Sequence, residues 1–280
     1  MAMAWERWSE RLRYRFVPPF VDWLVHLSTY QARVTLQRAP MCVLVDTNVF
    51  THSVTHETQW VAEGYSEQWK RPLGRFARVP VHALDCNSED SNNVRYLPSI
   101  AYLAKRGFLK LKTSTELMVE RHRLSAAWVN GGGHYDYSVF RGVKVECFDR
   151  LPLGSYTFTD LSDRHLQRAR LKASDDPRFQ AIVAQLGQGN SQDAWHIRTA
   201  EAHGCFCFLT MDFKLLKRVG KKQLLEPFKS LRTKIMTPEA LGKHLGLKPI
   251  PTHFFSYHDA SFPLRADLSR SDDQRFQWPF

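Results

Sequence analysis

The stretch that decides the fold is Met41-Cys42-Val43-Leu44-Val45-Asp46-Thr47-Asn48, in which an apolar run leads directly into three polar residues. A short apolar run that ends in polar residues is typical of a strand buried on both faces of a parallel sheet. Open α/β sheets commonly bind ligands at the carboxyl ends of such strands. The sequence therefore predicts that Asp46 lies at a candidate site.

Further short strands are predicted along the chain, and helical patterns separate them. The strand candidates are residues 108–112, 205–209 and 234–236. Capping residues at Ser88 and Asp176 open two of the intervening helices. This alternation predicts the α/β class, with a mostly parallel sheet that helices cover on both faces.

The flanking segments suggest a main domain with additions. Residues 1–40 are predicted to form an N-terminal helical extension, residues 41–245 the main domain, and residues 246–280 a tail that packs along the surface. The stretch 51–80 shows no clear period and is predicted to be irregular. Apolar residues spaced three and four apart predict the packed face of the extension: Val21, Leu24, Leu27, Tyr30 and Val34.

Composition narrows the class of protein. The chain has 280 residues, of which 43% are hydrophobic, and a net charge of +11. This excludes a disordered or fibrous chain, and the positive surplus favours a polyanionic partner such as nucleic acid. No apolar run is long enough for a membrane span and no secretory pattern opens the chain, so a cytoplasmic protein with reduced cysteines is predicted.

Four separated carboxylates are the candidates for chemistry. Asp46 and Asp212 follow predicted strands, whereas Glu120 and Asp193 lie in the opening turns of predicted helices. Strand ends and the following helix starts meet at one edge of a parallel sheet, so we expect the four to converge. Converging carboxylates repel one another when ionised, and either protonation or a bound divalent cation relieves this repulsion. An all-oxygen set suits Mg²⁺ or Mn²⁺.

The segments that carry these acids resemble the motifs of the PIN-domain ribonuclease family, in the family's order and across roughly residues 41–245. The four segments are Val43–Phe50, Thr113–Glu120, Ser191–Ile197 and Cys207–Leu216. The resemblance implies a three-layer α/β/α sandwich and a Mg²⁺- or Mn²⁺-dependent cut of RNA by activated water. It also implies that Asp46, Glu120, Asp193 and Asp212 are the catalytic and metal-binding residues. Glu116 lies one turn earlier on the same helix face and is the alternative to Glu120.

Other residues near the four acids are predicted to support them. Thr47, Asn48 and Ser114 would supply hydrogen bonds at the site. His196, one turn beyond Asp193, is interpreted as a core or locally hydrogen-bonded side chain. A basic cluster that follows Asp212 is predicted to contact RNA: Lys214, Lys217, Arg218, Lys221 and Lys222.

The leading functional prediction is an endoribonuclease, of either a toxin type or an RNA-processing type. The chain is longer than a minimal toxin-type domain, which weakens the toxin interpretation. RNA is the predicted substrate, and an antitoxin, another regulatory protein or a homodimer stays open as a partner; no membrane association is expected. Two alternatives remain, namely a non-catalytic RNA-binding module with the same fold and a structure-specific DNA nuclease.

Overall fold

The structure is a computed structural model that describes nine ranges of the chain. They are residues 16, 19–53, 56–68, 70–80, 88–122, 138–140, 142–149, 164–252 and 263–264. Most of the predicted C-terminal tail lies outside these ranges.

The helices and strands of the described ranges alternate along most of the chain. After a helical segment at residues 19–28, they are α1 (Tyr30–Leu36), β1 (Met41–Val45), α2 (Thr47–His52), β2 (His56–Ser66), β3 (Arg71–Pro80), α3 (Glu89–Val94), α4 (Leu97–Lys105), β4 (Leu109–Thr113), α5 (Thr115–His122), β5 (Val145–Cys147), α6 (Arg164–Lys172), α7 (Pro177–Leu186), α8 (Ser191–Ala202), β6 (Cys207–Leu209), α9 (Phe213–Lys222), β7 (Lys234–Met236), α10 (Pro238–His244) and β8 (Pro263–Leu264). Within these ranges, no helix has both the length and the apolar character that crossing a bilayer requires.

The central sheet has the strand order β5-β4-β1-β6-β7, and all of its pairings are parallel. Val43 of β1 lies opposite Leu111 of β4 and Cys207 of β6. Because the strands run in one direction, their carboxyl ends share one edge, where Asp46 follows β1 and Asp212 lies shortly after β6. The predicted α/β fold with a central parallel sheet is confirmed.

Helices bury both faces of this sheet, which completes the three layers. On one face, Val43 shares a buried cluster with Ile100 of α4. On the other face, Leu44 shares a second cluster with Ile182 of α7 and Ile197 of α8. Burial on both faces explains why β1 is apolar at every position, since neither side of the strand faces water.

The N-terminal helices pack on the main core through part of the predicted face, since Val21 is buried and Leu24 packs against the core cluster. Leu27, Tyr30 and Val34 are 50%, 63% and 58% exposed, so their assignment to the packed face was wrong. The residues that join the core cluster are Val21, Val25, Ala32 and Leu36. Apolar residues at helical spacing lie on both the packed and the exposed sides of these helices, so periodicity alone could not select the side that contacts the sheet layer.

The stretch 51–80 forms regular structure, contrary to the prediction. β2 and β3 pair antiparallel from His56 opposite Pro80 to Ser66 opposite Arg71, and β8 adds a third strand. Lys70, in the turn between β2 and β3, has a φ of 45°. The sequence lacks the clean alternation that identifies a half-buried strand, and the pairing comes from residues that are distant along the chain.

Candidate metal centre

Asp46 is held at the carboxyl edge of the sheet by contacts with the end of β6. Its backbone N–H donates to the carbonyl oxygen of Leu209 at 2.9 Å, and the residue caps the start of α2. The Thr210 hydroxyl donates to Oδ2 of Asp46 at 2.7 Å. Burial and the nearby Glu120 raise the pKa of Asp46, although His196, the Thr210 hydroxyl and an Asn48 backbone hydrogen bond oppose the rise.

Thr210 joins the two strand ends on which the site is built. It is fully buried, and its hydroxyl oxygen accepts from the Asn48 side-chain amide at 3.1 Å and from the Asp212 backbone N–H at 3.0 Å. Asn48 in turn accepts from the Met211 backbone N–H at 3.0 Å. This network fixes the end of β1 against the end of β6, so Asp46 and Asp212 are positioned by the same side chains. Asn48 therefore links the start of α2 to the segment that follows β6.

Asp212 is also the N-cap of α9. Its Oδ1 accepts from the backbone N–H groups of Lys214 and Leu215 at 2.8 and 2.9 Å. These bonds satisfy donors that the first turn of a helix otherwise leaves without partners. Asp212 therefore has a structural role as well as a place beside Asp193, whose pKa it raises.

Asp193 lies in the first turn of α8 and interacts with the other three acids. Burial first, and then the negative charges of Asp212, Asp46 and Glu120, raise its pKa to about 6, against an opposing contribution from His196. The other three predicted acids therefore all lie close enough to Asp193 to influence its pKa.

Glu120 reaches the same group from α5. Its Oε1 atom lies 3.0 Å from Nε2 of His196, a histidine of α8 that is 2% exposed. Burial lowers the pKa of His196, but the charge and hydrogen bond of Glu120 and the charges of Asp46 and Asp193 raise it to about 9. These contacts favour the imidazolium form of His196, whose positive charge would lie among the carboxylates.

Glu116, the alternative to Glu120, has different partners. Its carboxylate accepts from the Gln167 amide at 2.6 Å and from the Arg170 guanidinium at 3.1 and 3.2 Å. Both partners belong to α6, and Glu116 is buried. Glu116 joins α5 to α6 through a salt bridge, whereas Glu120 contacts His196 within the group of acids.

The remaining predicted support residues hold α5 in place. The Thr47 hydroxyl donates to the carbonyl oxygen of Leu117 at 3.2 Å, which ties α2 to α5. The Ser114 hydroxyl is buried and accepts from the Leu117 backbone N–H at 3.3 Å. Both residues position the helix that carries Glu120.

The predicted basic surface lies on α9, directly after Asp212. Its members are Lys214, Lys217, Arg218 and Lys221, which are exposed, and Lys222, which is partly exposed. Lys217 lies 3.8 Å from the exposed carboxylate of Glu89 on α3, and Arg218 bonds to the side chain of Asn190. These cations therefore form an exposed positive surface on the helix that Asp212 caps.

The donor chemistry of the four acids fits a hard divalent cation. Burial is the main cause of the raised pKa values of Asp46 and Asp193, and the neighbouring carboxylates add to it; a bound cation would favour the ionised form of both acids. Across the nine described ranges, no group of three or more His, Cys, Asp and Glu side chains is arranged closely enough to hold a metal ion. The carboxylates are therefore within electrostatic range of one another without forming a closed ligand set.

Comparisons of the chain with protein-family models, curated proteins and solved structures returned no match.

Three contributions to this centre escaped the sequence analysis. Thr210 lies within the segment Cys207–Leu216, but no role was predicted for it. Its position, a hydroxyl residue between a strand and Asp212, was the feature that could have indicated one. His196 is buried and hydrogen-bonded as predicted, but its partner is Glu120 on another helix. The pairing of Glu116 with Arg170 had no sequence signal, since nothing local links the two helices.

Proposed function

We propose that this protein is a divalent-metal-dependent endoribonuclease of the PIN-domain type. In this proposal Asp46, Glu120, Asp193 and Asp212 hold Mg²⁺ or Mn²⁺. The observation that carries the proposal is the convergence of four acids from four different elements: Thr210 contacts both Asp46 and Asp212, Glu120 contacts His196 of α8, and Asp193 lies one turn before His196 on that helix. Carboxylates gathered in this way are a favourable set of ligands for a hard divalent cation.

The side chains around the acids support the proposal by holding them in place. Thr210 and Asn48 fix Asp46 beside Asp212, and His196 holds Glu120. A bound Mg²⁺ or Mn²⁺ would supply an activated water and would stabilise the charge that develops on a phosphodiester. The contribution of the chain is to fix its own ligands on the ends of rigid strands and helices.

RNA is the proposed substrate class because of the family resemblance and the basic surface on α9. The exposed cations of α9 begin within two residues of Asp212 and can hold the phosphates of a bound strand. A cytoplasmic RNA-processing role fits this substrate and the length of the chain better than a minimal toxin role.

A second candidate, a non-catalytic RNA-binding module, is favoured by one observation. The His196 imidazolium already offsets part of the negative charge without a metal. In such a module, His196 in place of a metal ion would compensate the charge of the acids, and RNA would bind along α9 without being cut.

Cleavage of labelled single-stranded RNA and of a DNA of the same sequence tests these proposals. We expect the full chain to cut RNA with Mg²⁺ or Mn²⁺ and to stop when excess EDTA is added. Asp46→Asn, Asp193→Asn and Asp212→Asn should each reduce the rate by about 100-fold or more, whereas the matched exposed control Asp175→Asn should leave it unchanged. Full cutting in EDTA would exclude the metal mechanism, binding without cutting would favour the module, and preferential cutting of DNA would exclude RNA as the substrate.

A further inference from the structure

Two thiols face each other at the amino end of the central sheet, away from the carboxylates. The Sγ atoms of Cys42 on β1 and Cys205 before β6 lie 3.3 Å apart. Four residues of extended strand separate Cys42 from Asp46, which corresponds to about 13 Å. The thiol pair is therefore a feature separate from the candidate metal centre.

The local backbone brings both thiols to one face of the sheet. α8 ends at Ala202; Gly204, two residues later, has a φ of +62°, and Cys205 then donates its N–H to the carbonyl oxygen of Ala200. Cys42 and Cys205 belong to the buried cluster on one face, whereas Cys207 belongs to the cluster on the opposite face. Cys205 is thus the near neighbour of Cys42 on its own face, while Cys207 points to the other side.

The backbone separation suits a covalent link. The Phe206 N–H donates to the carbonyl oxygen of Cys42 at 2.9 Å, so the two segments are already adjacent. A strand spacing of about 4.8 Å and a rise of about 3.3 Å per residue give a diagonal Cα separation of about 5.8 Å. That separation lies within the range that disulfides span.

The two thiols differ in reactivity, and this difference determines which of them reacts first with an external reagent. The Cys205 S–H hydrogen bond, together with the charges of Lys112 and Lys110, lowers the pKa of the Cys42 thiol to about 7, although burial opposes the shift. Cys42 is partly exposed, whereas Cys205 is 3% exposed and its pKa is raised by Cys42 and by burial. Cys42 is therefore the thiolate that an external reagent meets first.

We propose that Cys42 and Cys205 form a reversible modification site, which a low-molecular-weight disulfide oxidises to an intramolecular disulfide. The Cys42 thiolate attacks one sulfur of the reagent, forms a mixed disulfide and expels the first thiolate. The Cys205 sulfur then attacks the Cys42 sulfur and displaces the second thiolate, which takes up the Cys205 proton. Two protein thiols are oxidised, and one molecule of the reagent is reduced to two thiols.

The test uses the full chain and glutathione disulfide at near-neutral pH. After acid quenching and alkylation, mass spectrometry of a non-reduced digest should find Cys42 linked to Cys205, and dithiothreitol should restore both thiols. Cys205→Ser should instead retain a stable glutathione adduct on Cys42, while Cys42→Ser should leave Cys205 unmodified. The proposal is overturned if the wild type keeps both thiols free or keeps the adduct on Cys42.

Cys207→Ala and Cys147→Ser are the matched controls. Both should form the crosslink as the wild type does, and fragment ions should assign the linked sulfur to Cys205 rather than Cys207. With limiting iodoacetamide, Cys42 should react about tenfold or more faster than Cys147, because burial raises the pKa of Cys147. A crosslink through Cys207, or equal rates at Cys42 and Cys147, would contradict the assignment. None of these readouts depends on nuclease activity, so the result is independent of the proposed function.

Discussion

The Nε2 atom of His196 lies 3.0 Å from Oε1 of Glu120, and this contact joins α8 to α5 inside the carboxylate group. The other ring nitrogen, Nδ1, is buried and has no hydrogen-bond partner within the described ranges. His196 therefore makes its hydrogen bond with Glu120, and its charge interacts with Glu120 and the neighbouring acids. In the absence of a metal, it is a positive charge built into the site by the chain itself.

His196→Gln should make stability less dependent on pH. Folding raises the pKa of His196 from 6.5 to about 9, so protonation of this side chain stabilises the folded state. This stabilisation is fully present below the unfolded-state pKa of 6.5 and is lost as the pH rises through 9. The stability advantage of the wild type over the variant should therefore shrink by roughly 3 kcal/mol between about pH 6 and pH 10. Urea denaturation at both pH values measures it. The exposed His203→Gln serves as the control and should show no such change; equal pH profiles for wild type and His196→Gln would refute the prediction.

Asp193→Asn should stabilise the metal-free chain while it removes activity. The pKa of this acid is raised from 3.8 to about 6, so the folded state holds its proton longer than the unfolded state does. The free energy of unfolding of the wild type therefore falls as the pH rises from 3.8 to about 6, and this loss of stability persists above pH 6. The neutral amide should gain roughly 2–3 kcal/mol at neutral pH and little near pH 4. Added Mn²⁺ should then stabilise the wild type more than the variant in thermal unfolding. A variant that is less stable than the wild type at neutral pH would contradict this.

Thr210→Val should weaken the site more than it weakens the fold. The change removes the hydroxyl that contacts Asp46, Asn48 and Asp212 and keeps the side-chain shape. A loss of about 1–3 kcal/mol in unfolding free energy is expected, together with a clear drop in Mn²⁺ affinity by calorimetry. Thr233→Val is the matched control, because Thr233 is also buried and donates one hydrogen bond, to Cys205. If both variants bind Mn²⁺ alike, Thr210 does not position the acids.

Glu116→Gln and Glu120→Gln should separate structure from chemistry. Glu116→Gln breaks the salt bridge to Arg170 and should cost about 2–3 kcal/mol of stability with activity retained at permissive temperature. Glu120→Gln should abolish metal-dependent cutting, and its loss of stability should be of similar size because it removes the contact with His196. Denaturation and cleavage assays on the two variants decide the matter, and the reverse pattern would assign the site to Glu116.

Reversing charge on α9 should weaken RNA binding and its dependence on salt. Lys214→Glu and Lys221→Glu alter exposed residues next to the carboxylates, and each should reduce affinity several-fold and lower the slope of log affinity against log salt by about one. Lys248→Glu makes the same charge change at an exposed residue whose backbone contacts Ser28. Filter binding in EDTA measures affinity without cleavage. Equal losses for all three variants would show only a general charge effect.

Local sequence was enough to predict the parallel sheet and the location of the acids. The apolar run of β1 and the polar residues after it predict a buried strand with Asp46 at its end, and the structure has both. Ser88 caps α3 and Asp176 caps α7, as predicted. These features depend on periodicity and capping over a few residues, which the chain encodes without reference to distant contacts.

Tertiary structure decided which partner each side chain meets. Glu116 and Glu120 have the same local pattern, and only the arrival of Arg170 or His196 from other helices distinguishes them. In the same way, helical spacing predicted the packing of Val21 and Leu24, but packing against the domain buried Val25, Ala32 and Leu36 and left Leu27, Tyr30 and Val34 exposed. The chain by itself determined where the strands end and where the acids stand, because these depend on neighbours in sequence. The charges, hydrogen bonds and thiol contacts around them come from segments far apart in sequence, and only folding brings those segments together.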